Sequence, residues 1–86
     1  MEEIKDYLEN LEMPEWGCIS KVKVEGDGIL IRYCDTATIY ISTEYEWDSG
    51  LKIENNSALG KLDLEFVLEV LNRQKEIISL LEEADY

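Results

Sequence analysis

From Leu62 to Glu83 the apolar positions recur with the period of an α-helix. On a wheel of about 100° per residue, Leu64, Val67, Val70, Leu71, Gln74, Ile77, Ile78 and Leu81 share one broad face, and Glu65, Glu69, Glu76 and Glu83 lie opposite. The spacing predicts one long amphipathic helix, with Asp63 as its N-cap and Leu62 and Val67 as a hydrophobic staple around it. Ile4, Tyr7, Leu8 and Leu11 follow the same period, which predicts a short first helix over Glu2 to Glu12 with Glu2, Asp6 and Glu9 on its polar side. Pro14 is expected to stop it, because the residue before a proline is pushed out of the α region.

Between these stretches the period is two, the repeat of a half-buried strand. Ser20, Val22 and Val24 alternate with Lys21, Lys23 and Glu25; Ile29 to Cys34 is a second run; Thr38 to Trp47 is a third, with Ile39, Ile41, Thr43, Tyr45 and Trp47 on one face. Gly26-Asp27-Gly28 and Asp35-Thr36-Ala37 supply the turns. Matching the inward faces pairs Val24 with Ile29 and Val22 with Ile31, then Tyr33 with Ile39 and Ile31 with Ile41. At about 3.3 Å per residue the third strand reaches roughly 33 Å, or bends partway. Asp48-Ser49-Gly50 closes it, and Leu51 to Glu54 is readable either as a short fourth strand or as loop. Glu15-Trp16-Gly17 is a turn, with Trp16 expected to lid one end of the core.

The expected fold is therefore α+β: an antiparallel three- or four-stranded meander with a short N-terminal helix and a long C-terminal helix packed on one face. It forms a single domain over residues 1–86. The uncovered sheet face is expected to show Lys21, Lys23, Arg32, Leu30 and Tyr40.

Charge changes this picture more than composition does. The 86 residues include 20 acidic and 8 basic side chains and no histidine, a formal net charge of −12. Such a globule is drawn to basic partners. Phosphate repulsion argues against direct binding to nucleic acid or to an anionic membrane. No apolar run approaches membrane-spanning length, and the start Met-Glu-Glu-Ile-Lys-Asp is acidic where a secretory leader is basic. The expected compartment is the cytoplasm, with Cys18 and Cys34 as free thiols or, alternatively, joined across neighbouring strands. Two cysteines without CxxC spacing or histidine make no metal or redox motif, and no cofactor is expected.

Catalytic readings are thin. Ser-His or Cys-His chemistry needs an imidazole or a substitute base, and Gly26-Asp27-Gly28 puts a carboxylate where a phosphate would sit. Glu44 and Glu46, about 7 Å apart at the strand repeat, are expected to be exposed carboxylates and so poor general acids. Asp48-Ser49-Gly50 and Glu54 lack the alternating oxygen ligands of a calcium loop. A binding protein rather than an enzyme is expected.

The sign of the surface carries that expectation. A merely solvated helix face mixes lysine with glutamate so that i, i+4 pairs attract; here Glu65 and Glu69 repel, and Glu82, Glu83 and Asp85 crowd a helix C-terminus, where acids are unfavourable. Along one helix axis Glu65 to Glu69 spans about 6 Å and Glu69 to Glu76 about 10.5 Å, the scale of phosphate separations along a nucleic-acid strand. A selected negative surface and the drift of a low-pI chain both account for the pattern. On the first reading the partner-binding residues are Asp35, Glu44, Glu46, Asp48, Glu65, Glu69, Glu76 and Glu83.

In size, acidity and order of elements the chain resembles small phage-encoded anti-CRISPR proteins that act as DNA mimics on type II effector nucleases. The resemblance is one of layout and runs through Ile4 to Leu11, Ile19 to Val24, Ile29 to Tyr33, Thr38 to Ser42 and the acidic C-terminal helix. It implies an inhibitor whose strand-connecting loop, comparable to the turn holding Asp35, and helical region block the surface that reads a short DNA tag. The implied partner is a basic nucleic-acid-binding protein, a CRISPR effector nuclease in that family. The chain departs from the family in showing the period of one C-terminal helix, not two. Two other classes fit the same features: an immunity or antitoxin-type protein neutralising a basic toxin, and a structural module dimerising through Leu68, Leu80 and Leu30. The expected state is a monomer or weak homodimer.

Overall fold

The computed structural model describes residues 2–55 and 57–84. Along them run α1 (Glu2–Glu9), β1 (Ile19–Glu25), β2 (Gly28–Tyr33), β3 (Ala37–Ser42), one 3₁₀ turn (Glu46–Asp48), β4 (Gly50–Ile53), α2 (Lys61–Asn72) and α3 (Gln74–Ala84). The strands form one antiparallel sheet in chain order, so the α+β meander is as the alternation predicts. The stretch left open is a strand: Ile53 pairs with Ala37 and Leu51 with Ile39.

One face of the sheet closes the core. Ile29, Ile31, Tyr33, Ile39 and Ile41 pack with Ile4 and Leu8 of α1, Phe66, Val67 and Val70 of α2, and Ile77 of α3. In so small a domain nearly every inward position must be apolar and filled, and the isoleucines supply branched volume suited to a pleated surface.

Register shows where strict alternation fails. Val22 pairs with Ile31 and Val24 with Ile29 as expected, but the register shifts between Ile19 and Lys21. Ser20 is the extra residue of a bulge, which turns the strand's parity over. Ile19 is therefore buried and Ser20, expected inside, is exposed. Between β2 and β3 the pairs are Tyr33 with Ala37, Ile31 with Ile39 and Ile29 with Ile41, two residues from the expected register. The turn starts one residue earlier than expected, at Cys34, because Cys34 and Asp35 adopt φ of 52° and 58°. Two successive left-handed residues match a hairpin's twist, and the Thr36 N–H closes the turn on the Tyr33 carbonyl at 3.0 Å. A slip of two preserves which side chains face inward.

The third strand ends at Ser42 and does not continue to Trp47. Its hydroxyl accepts the N–H groups of Glu44 and Tyr45 at 3.2 and 3.0 Å, a local side-chain turn that competes with the ladder. Thr43, Tyr45 and Trp47, inward by alternation, are consequently exposed.

Three corrections concern the helices. α1 ends at Glu9, ahead of Pro14, its last turn tightened by the Leu11 N–H bonding the Leu8 carbonyl at 3.1 Å. The C-terminal helix is two helices, interrupted at Arg73 with φ −100° and ψ 19°. α3 restarts at Gln74, whose buried side chain donates to the Ser42 carbonyl at 3.0 Å and accepts from the Ser49 hydroxyl at 2.9 Å. That docking aims α3 at the end of β3. Finally, α2 buries Asp63, Phe66, Val67 and Val70, while Leu64 is 47% exposed. The stacking of Phe66 on Tyr33, at a centroid distance of 5.3 Å, rotates the face away from the leucines.

Asp63 is not the N-cap. Gly60 occupies that position, and Asp63 is the third helical residue, reaching back to accept the Gly60 N–H at 3.0 Å, the carboxylate half of a capping box. Leu62 is half-exposed and forms no staple. The second Asp63 oxygen accepts the Trp16 indole N–H at 2.8 Å and the Tyr33 hydroxyl. Trp16 is 60% exposed, so it joins the core through its N–H and does not lid it. Cys18 and Cys34 are free thiols on facing positions, the Cys34 N–H bonding the Cys18 carbonyl at 3.0 Å.

Candidate acidic interaction surface

The uncovered sheet face collects cations. Lys21, Lys23, Arg32 and Lys52 all point away from the core by register, beside Leu30 and Tyr40, and they are four of the chain's eight basic residues. Three acids attend them: Glu25 lies 3.1 Å from Lys23, Asp35 3.9 Å from Arg32, and Glu54 bonds Arg32 and the Thr38 hydroxyl. The Thr38 bond, opposed by partial burial and aided by Arg32, holds Glu54 below the usual carboxylate range.

The helix carboxylates are not the open line that periodicity suggests. Arg73 sits between Glu69 and Glu76, its Nε bonding Glu69 and its Nη1 3.4 Å from Glu76 and 3.3 Å from the Tyr7 hydroxyl oxygen. Tyr7 donates in turn to Glu76. Those bonds raise the Arg73 pKa further, the Tyr7 bond most and Glu69 next. Glu65 has Lys61 one turn away at 3.9 Å. Because α2 stops before Arg73, Glu69 and Glu76 belong to different helices, and the regular spacing along one axis does not exist. Glu65 and Glu69 instead edge a cleft of about 510 Å³ between α2 and the segment after α1, with Leu11, Met13 and Leu62. Arg73→Met is expected to remove the Arg73 bonds to Tyr7, Glu69 and Glu76 at the α2–α3 junction and lower the thermal midpoint. The loss should be smaller in about 1 M salt than at low ionic strength, because screening weakens the ion pairs being removed.

The sheet end opposite the β2–β3 turn holds the other acidic set. Glu44, Glu46 and Asp48 are carried on the β3–β4 connection, all exposed. Glu44 and Glu46 meet Glu82 of α3 around a shallow depression of about 340 Å³. Lys75 lies 3.9 Å from Glu46, with both side chains largely in solvent. Glu83 is exposed on α3. Asp35 is at the far end of the sheet and does not join this group. Asp85, part of the predicted carboxylate crowd at the C-terminus, lies outside the described residues.

The connection itself is fixed at both ends. Besides the two amides taken by Ser42, the Ser42 N–H donates to the Ser49 hydroxyl oxygen at 3.0 Å, the Ser49 N–H to the Glu46 carbonyl at 3.0 Å, and the Thr43 N–H to the Asp27 carbonyl at 2.9 Å. On it Tyr45 and Trp47 stack with centroids 4.6 Å apart and planes 23° from parallel. Alternation hid this pair by placing both rings in the core. The signal that could have found it is the run Ser42 to Gly50, dense in residues that bond their own backbone. Asp63 was legible too, since it stands in phase with Phe66, Val67 and Val70 at i, i+3, i+4 and i+7.

No protein-family model matches the chain, and no curated protein or solved structure matches it. Among the described residues no helix is long and apolar enough to cross a membrane.

Proposed function

We propose that the chain is a non-catalytic acidic inhibitor that occupies a basic nucleic-acid-binding site on another protein, in the manner of a DNA mimic. The observation that carries this reading is the sorting of charge. Half of the basic residues share the uncovered sheet face, which leaves Lys5, Lys61, Arg73 and Lys75 to offset the carboxylates everywhere else. A charge of one sign gathered on a face steers association with the opposite sign. Glu69 and Glu76 hold Arg73, so the contact falls to Glu44, Glu46, Asp48, Glu82 and Glu83, with Glu65 beside the α2 cleft. The interruption at Arg73 also supports the layout resemblance to anti-CRISPR proteins, since it supplies the second C-terminal helix whose absence was the departure.

Immobilised protein challenged with bacterial lysate tests this. The expected result is retention of one basic nucleic-acid-binding protein that duplex DNA displaces, with retention lost in the combined Glu44→Lys, Glu46→Lys, Asp48→Lys variant. A captured toxin that duplex DNA fails to displace would favour the immunity reading. A miscellany of basic proteins washed off at low salt would refute both.

A further inference from the structure

We propose that the connection between β3 and β4 is an arginine-docking anchor, in which the stacked Tyr45–Trp47 pair receives a guanidinium group of a basic partner protein. The inference rests on the function proposed above only for the identity of that partner. Its starting point is Trp47, 78% exposed and the most exposed of the large apolar side chains among the described residues. An indole held in water forgoes the burial that large apolar side chains usually gain, and neither the core nor a neighbouring element accounts for it. Flexibility does not account for it either: the Ser42, Ser49 and Gln74 bonds hold the segment at both ends. Stacking on Tyr45 covers one side of the indole and leaves the other open. A rigid, preformed aromatic face loses little entropy on binding, which is why tryptophan and tyrosine dominate interface hot spots.

The flanking charges decide what that face takes. Aromatic and acidic residues alternate through Glu44, Tyr45, Glu46, Trp47 and Asp48, so an anionic ligand is repelled and a cation is drawn to the ring quadrupole. Between cations, guanidinium is favoured over ammonium on the ring face: it is flat, stacks on rings and is less strongly hydrated. Lys75 pairs with Glu46 alone, at 3.9 Å, and among the described residues no cation stacks on either ring. The Tyr45–Trp47 pair supplies arginine selectivity, and the carboxylates supply attraction to any cation.

Calorimetric titration with short arginine-only and lysine-only peptides in about 150 mM salt separates these contributions. The arginine peptide is expected to bind about fivefold more tightly than the lysine peptide. Trp47→Ala should abolish that preference with the circular dichroism spectrum unchanged, and the Glu44→Gln, Glu46→Gln, Asp48→Asn variant should weaken both peptides alike. Equal binding of the two peptides, indifference to Trp47→Ala, or no binding would overturn the anchor. So would self-association that Trp47→Ala abolishes, which would give the face to a second copy of the chain. An arginine preference that survives when duplex DNA displaces nothing from the captured partner would refute the inhibitor and leave the anchor standing.

Discussion

Asp63→Ala is expected to lower stability by about 3 kcal/mol, from the loss of charge-assisted hydrogen bonds and the buried donor left behind. For a domain of this size that corresponds to a fall in thermal midpoint of roughly 12–24 °C. The carboxylate accepts from Trp16, Tyr33 and the Gly60 amide, and so ties the turn before β1 and the end of β2 to the start of α2. The Tyr33 hydroxyl is the costly orphan, since its ring is almost completely buried. Burial and the Asp63 carboxylate both push the Tyr33 pKa far up, so it remains a donor at every working pH.

The pH dependence follows from the same geometry. Burial alone would raise the Asp63 pKa, but the bonds from Tyr33, Trp16 and Gly60 outweigh it and hold the group below the usual range. The unfolded chain therefore binds this proton more readily than the folded one. The contribution is complete above about pH 4, the ordinary carboxylate value, and is lost as pH falls through the lower folded value. Urea unfolding of the wild type and Asp63→Asn at a series of pH values should show a constant stability gap near neutrality that narrows below about pH 4. A gap that stays constant would mean that the folded carboxylate does not hold its charge there.

Gln74→Ala is the second large effect, about 2 kcal/mol from one buried amide that both donates and accepts. Its informative consequence is local. With the Ser42 carbonyl and Ser49 hydroxyl released, the β3–β4 connection loses its tie to α3, and the Glu44, Tyr45 and Ser49 amides should exchange faster than global unfolding allows. Hydrogen exchange resolved by residue reads this directly. Unchanged protection of those amides would mean that the local serine bonds suffice to hold Tyr45 and Trp47 in place. Because Gln74 bonds Ser42 and Ser49, which bracket the aromatic pair along the chain, the variant also separates rigid presentation of that pair from its mere presence.

Much of the fold was written in the order of residues. The period of two in Lys21 to Glu25, Ile29 to Tyr33 and Thr38 to Ser42, and the helical period of Ile4 to Leu8 and Val67 to Ile77, reflect backbone geometry that each segment carries by itself. Hairpin pairing of Val22 with Ile31 was equally local, and the slip between β2 and β3 left the core intact because it was even. The net charge, and with it the expectation of a basic partner, needed no structure.

What only the tertiary structure decided lies where distant residues meet. The docking of α3 at the end of β3 depends on Ser42 and Gln74, 32 residues apart. The buried face of α2 depends on Tyr33 meeting Asp63, 30 apart. The neutralised part of the acidic line depends on Tyr7 and Arg73, 66 apart. No local period encodes such pairs, because a hydrogen bond between separated segments is chosen by where the packed core brings them. That is also why Glu69 and Glu76 differ as surface from Glu44 and Glu46: the first pair is held by Arg73, and the second lies in solvent beside two exposed rings, with Lys75 3.9 Å from Glu46.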